Sequence, residues 1–177
     1  MIIELVISTI AKFGFTMALG YYLISALQWF SYKIKRVIFH YTKPMWHIYF
    51  IVLPLFIMAF CWHYVYQICL AVIYISLLAL WAYRLDKRVV MTARVKRYFV
   101  FLIAGFVLFA LCPYSQNAIY HIIFSIIFSL ILSSLSEKII AIRYKKSAKT
   151  KLNSMSDLKI ILVTASFGKT SIKNFIY

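Results

Sequence analysis

A chain of 177 residues that is 64% hydrophobic, 19% aromatic and only 14% charged lies far from the composition of soluble proteins. Its formal net charge of +16 comes from 20 Lys and Arg against Glu4, Asp86, Glu137 and Asp157. Such a charge on a polar fold would suit a nucleic-acid binder. Here the basic residues fall between hydrophobic stretches, which excludes that class and points to a lipid bilayer as the partner.

The first residues lack a basic n-region and no small-residue cleavage site follows them, so no cleavable leader is expected. Five apolar stretches come next, at 13–30, 45–62, 66–83, 98–112 and 118–135. A hydrocarbon core of ~30 Å needs about 20 helical residues, and each stretch is long enough or nearly so. The fourth is the shortest. The connector after the first stretch carries Lys33, Lys35, Arg36 and Lys43, and the one after the third carries Arg84, Lys87, Arg88, Arg94, Lys96 and Arg97. After the fifth come Lys138, Arg143, Lys145, Lys146, Lys149 and Lys151, while the remaining two connectors hold no Lys or Arg. The positive-inside rule then places the three basic segments in the cytoplasm of a bacterial cell, the N-terminus outside and the C-terminus inside. An odd number of crossings requires the same. Topology alone accounts for these charges without a binding partner.

Trp29, Trp46, Trp62 and Trp81 all fall at the ends of these stretches, where an amphipathic ring prefers the headgroup level. Pro44 suits a helix start, and Pro54 in mid-stretch predicts a kink. Gly14, Ala18 and Ser25 mark one small-residue face, and His121, Ser125, Ser129 and Ser133 recur at i, i+4 on the fifth stretch. Both predict close helix packing with hydrogen bonds across the contact. A polar path with His121 as its titrating group is the weaker reading, because no charged residue is predicted deep in the last four stretches. His40, His47 and His63 have no ligand partners at metal spacing and are expected at the interfaces. Cys61, Cys69 and Cys112 likewise lack metal spacing and are expected to be buried small hydrophobes. Four scattered acids supply no orienting group for a Ser or Cys nucleophile.

Residues 137–157 are polar and basic, and predict a cytoplasmic juxtamembrane helix running into a linker. The character changes again at Leu158. Ile160 to Val163 has the apolar density of a buried parallel strand. A turn through Ala165, Ser166 and Phe167 reaches Gly168, and Lys169, Thr170 and Ser171 open a helix. Strand, glycine turn and helix start form a phosphate cradle, because backbone N–H groups and the helix dipole both face the anion. The strict P-loop would place Gly where Val163 stands.

The run Thr164-Ala165-Ser166-Phe167-Gly168-Lys169-Thr170-Ser171 resembles the shorter nucleotide loop of the Mur ligases, Thr-Gly-Ser/Thr-x-Gly-Lys-Thr-Ser/Thr. The continuation Lys173-Asn174 is most similar to the UDP-N-acetylmuramoyl-tripeptide–D-alanyl-D-alanine ligases, some of which carry a long hydrophobic N-terminal region. Ala165 departs from the family's glycine and narrows the backbone geometry near a phosphate. The resemblance implies ATP and Mg²⁺ as cofactors, with Ala165 to Gly168 as backbone donors, Lys169 on the β/γ-phosphates, and Thr170 and Ser171 at the metal. It also implies an amide-forming ligase of peptidoglycan synthesis, acting on the UDP-linked tripeptide and D-Ala-D-Ala.

The fold class expected is therefore an all-α polytopic membrane region of five helices, then the first strand–loop–helix of an α/β nucleotide-binding domain at 158–177. The family's further acidic metal ligands, adenine pocket and C-terminal domain have no counterpart in these residues, so no catalytic residue is assigned and the chain alone is expected not to ligate. The alternative is a membrane anchor or scaffold whose Gly-Lys-Thr is coincidental. A transporter is disfavoured by the missing intramembrane charges.

Overall fold

The computed structural model describes residues 2–32, 37, 44–61, 63–85, 88–110 and 118–155. The chain divides into two compact units, Met1–Glu137 and Lys138–Tyr177. Among the described residues every regular element is helical: α1 (Ile2–Trp29), α2 (Pro44–His47), a π-helical turn (Ile48–Val52), α3 (Leu53–Phe60), α4 (Tyr64–Tyr83), α5 (Ala93–Ala110) and α6 (Ala118–Asn153). Helices are what near-continuous apolar sequence must form in hydrocarbon, where each backbone polar group has to be satisfied within its own segment.

Three helices are long and apolar enough to cross a membrane: Ile3–Trp29, Tyr64–Tyr83 and Ile119–Asn153. Three of the five sequence-derived spans look different in the structure. The second is interrupted by the π turn, leaving Ile48–Phe60 as a shorter apolar helix. The fourth belongs to a helix that begins at Ala93, so Arg94, Lys96 and Arg97 occupy its first two turns. The first also starts earlier than its apolar run, and Lys12 therefore lies inside α1.

Side-chain pairs give the direction of each helix. Ser8 meets Gln67, Phe15 meets Tyr74 and Tyr22 meets Trp81. Those contacts recur every seven residues on both helices at one constant register, so α1 and α4 run parallel with a coiled-coil-like seam. This is the most extensive helix pairing in the unit. Parallel neighbours require the chain to return between them, and Pro44–Phe60 provides that return. α5 is antiparallel to α1, since Gln28 bonds Val90 and Phe13 packs on Phe106. α6 is antiparallel to α5, with His121 against Phe106 and Glu137 against Arg94 and Arg97. Among the described residues the first unit thus shows five helical passes that alternate in direction.

Pro54 produces the distortion expected of it. Without an N–H it cannot donate to the Phe50 carbonyl. The Leu53 N–H reaches back to Ile48 O, closing the wider π turn, and Tyr74 Oη donates to the stranded Phe50 carbonyl at 2.8 Å. A Schellman motif ends α1: Tyr32 N–H bonds Leu27 O and Ser31 N–H bonds Gln28 O. Ser31 and Tyr32 both adopt the left-handed region there, with φ of 54° and 58°.

In the second unit the described residues are the remaining turns of α6 and a short extension to Met155. From residue 141 onward all are exposed.

Candidate functional site

Every residue of the sequence-derived nucleotide loop, Ala165, Ser166, Phe167, Gly168, Lys169, Thr170 and Ser171, lies outside the described residues. His40, Trp62 and Cys112 do as well. The described part of the molecule instead presents three polar clusters within the helical unit.

The first is at the end where α1 and α4 finish. Trp29, Trp46 and Trp81 gather there with Tyr22 and Phe50, their ring centroids 5.0–6.5 Å apart. Tyr22 Oη and His47 Nδ1 are 2.9 Å apart and tie α1 to α2. Trp29 and Trp46 remain 40% and 43% exposed, so the cluster is a half-open rim and not a core. Basic residues Arg94 and Arg97 sit at the same end, paired with Glu137, and the Arg94 guanidinium lies 4.2 Å from the Tyr32 ring centroid. The Arg94 hydrogen bond, joined by that of Arg97, holds the Glu137 carboxyl below the ordinary range for glutamate. This rim is called the tryptophan end below.

The second cluster lies between α5 and α6. His121, Ser125 and Ser129 are 4%, 0% and 0% exposed, so the predicted packing face is real. Its bonding differs from expectation. Ser125 and Ser129 donate to His121 O and Ile126 O within their own helix, as short hydroxyls in helices often do. His121 crosses the contact: Nε2 is 2.9 Å from Phe106 O, and a carbonyl can only accept, so Nε2 carries the proton. The close approach comes from Gly105 on the facing helix, where a Cβ would stand 3.2 Å from Ser125 O. Gly20 plays the same part on α1, beside Leu102. On the predicted small face, Gly14 packs against Ile75, and Ser25 donates to Tyr21 O in its own helix.

The third cluster is at the opposite end. Gln67, 5% exposed, accepts from Ser8 Oγ at 2.6 Å and donates to Cys61 O at 2.8 Å. It satisfies the carbonyl where the α3 helix stops. His63 caps α4, its Nδ1 accepting from Val65 N–H. The two described cysteines are not the buried hydrophobes expected: Cys61 is half-buried, and Cys69 is exposed on the outward face of α4. In an apolar phase an outward face costs a thiol little.

Sequence reading passed over Gln67, the Tyr22–His47 pair, Gly20, Gly105 and Lys12. Gln67 and Tyr22 were recoverable in part, since both sit on the seven-residue seam. Among the described residues no group of three or more His, Cys, Asp or Glu could hold a metal ion. The clusters brace helices against one another and assemble no nucleophile with a base. Compared with known proteins, the chain matches no family model, and no curated protein or solved structure shows significant similarity.

Proposed function

We propose that this chain is the membrane-embedded part of an ATP-dependent ligase of the Mur type, one that adds D-Ala-D-Ala to UDP-N-acetylmuramoyl-tripeptide. The observation that carries the reading is the sequence run Thr164 to Ser171, directly after the apolar run Ile160 to Val163. In this reading an odd number of crossings brings the segment after the fifth to the side of the basic connectors. In this reading the tryptophan end faces the cytoplasm of a bacterial inner membrane, the N-terminus lies outside, and all five passes cross. Lys169 then holds the β/γ-phosphates of ATP, the backbone from Ala165 to Gly168 donates to them, and Thr170 and Ser171 sit at Mg²⁺. ATP supplies the phosphoryl group that activates a carboxylate for attack by an amine.

Val163 and Ala165, each standing where a nucleotide loop has glycine, favour a second reading: a membrane anchor without nucleotide chemistry. Photolabelling of membranes with azido-ATP separates the two. The first reading expects Mg²⁺-dependent labelling of the native protein that Lys169→Ala abolishes and Lys159→Ala leaves intact. Equal labelling of all three, or none, contradicts it. The coding frame beyond Tyr177 gives an independent check, through an α/β continuation or its absence.

A further inference from the structure

Lys12 stands apart from every other cation in the chain. Of 20 Lys and Arg, 16 lie in the three basic segments between Lys33 and Lys151, and Lys159, Lys169 and Lys173 belong to the C-terminal stretch. Only Lys12 is left. The α1–α4 register that pairs Ser8 with Gln67 and Phe15 with Tyr74 sets it level with Ala71. That is seven residues inside the start of α4 at Tyr64, or about 10 Å at helical rise. Thr16 and Gly20 follow it at i+4 and i+8. Thr16 is fully buried and Gly20 packs on Leu102, so the stripe carrying Lys12 faces α5.

The neighbouring ring defines the place further. Phe13 packs on Phe106 with centroids 5.1 Å apart, and Phe106 packs on His121 at 4.3 Å. Lys12 is thereby at the mouth of the groove where α1, α5 and α6 converge, half-buried. The His121 Nε2–H is already committed to Phe106 O, so Lys12 is the cation of this groove. Among the described residues no carboxylate shares its level: Glu137 is at the tryptophan end, and Glu4 is eight residues nearer the start of α1, about 12 Å of rise. Helical side chains lean toward the N-terminus, which carries the ammonium outward along the groove. Val107 and Leu108 on α5 and Tyr120 on α6 remain about half exposed.

We propose that this groove is a binding site for the phosphate of an anionic membrane phospholipid, with Lys12 as its ligand. An ammonium held within the apolar thickness needs an anion, and a lipid phosphate is the one that arrives with chains able to cover the groove. The inference rests on the membrane reading of the helical unit and not on the ligase reading.

The test uses the full chain reconstituted with phosphatidylglycerol bearing a diazirine near the headgroup, cross-links being mapped by peptide sequencing. Cross-links are expected on α1 near Phe13 and on α5 near Val107. Lys12→Met should lower them about tenfold, the factor carried by one charge-assisted hydrogen bond, while Lys12→Arg retains them. Cross-links near Lys145 serve as the control for folding and should not change. The matching diacylglycerol probe should fail at this groove. The proposal is overturned if Lys12→Met leaves the α1 and α5 cross-links unchanged, if diacylglycerol labels them equally, or if inorganic phosphate displaces the lipid. Absence of headgroup cross-links at the exposed Tyr83 end of α4, by contrast, would fail the membrane reading itself.

Discussion

The bond from Tyr74 to the Phe50 carbonyl exists because of Pro54, one helix before the tyrosine in the chain. A proline in mid-helix removes a donor, and in an apolar surrounding the stranded carbonyl finds no water. Tyr74→Phe should therefore destabilise the unit by about 1 kcal/mol, within the range of buried hydrogen bonds in water and in membranes. In a Pro54→Ala background the new N–H supplies the missing donor, and the same substitution should become nearly neutral. Thermal unfolding of the four proteins in detergent measures the coupling. Additive losses would mean that the Tyr74 hydroxyl does not answer to Pro54. That Pro54 disturbs the helix was legible from one residue, but the donor to the stranded carbonyl was not. A tyrosine twenty residues on gives no local signal, since the partner is chosen by the α1–α4 seam. Gly20 and Gly105 were opaque for the same reason: a glycine's close neighbour is known only once the facing helix is placed.

Among the elements, α5 is the one that sequence described least well. Its apolar run is short because its first two turns are basic, and those turns are helical because Glu137 on α6 receives Arg94 and Arg97. Charge in the connector thus lengthens a helix that hydropathy would end. The Glu137 carboxyl is held below its ordinary range in the folded state, so its contribution is fully present above the unfolded carboxyl range and is lost as the pH falls through the lower folded value. The melting temperature should stay flat from neutral pH down to about 5 and fall in stronger acid. Glu137→Gln should remove part of that acid-dependent fall while lowering stability at neutral pH only modestly, because the pair is partly exposed and screened by salt. A pH profile unchanged by the substitution would contradict this. α6 shows the opposite relation between pattern and structure. Its composition changes sharply after Leu135, yet the helix continues to Asn153, because Lys, Arg and Ala form helix as readily in water as Leu and Ile do in hydrocarbon.

For the whole molecule, the shared level of Trp29, Trp46 and Trp81 was the most readable feature among the described residues. Trp29, Trp46 and Trp81 meet at one end of the unit, the end that also carries Arg94, Arg97 and Glu137. Rings and cations at one level are what a headgroup region would favour over hydrocarbon. The nucleotide loop was read from motif alone, and its geometry rests on residues beyond those described. The central claim is that five alternating passes cross a membrane with the tryptophan end in the cytoplasm. Cysteine accessibility in intact cells tests it most directly, using a protein in which the native cysteines are replaced by serine. Asn117→Cys and Ser147→Cys are probed with a membrane-impermeant maleimide before and after permeabilisation. The account predicts labelling of Cys at 117 in intact cells and of Cys at 147 only after the membrane is opened. The reverse order, or equal labelling of both in intact cells, would contradict it.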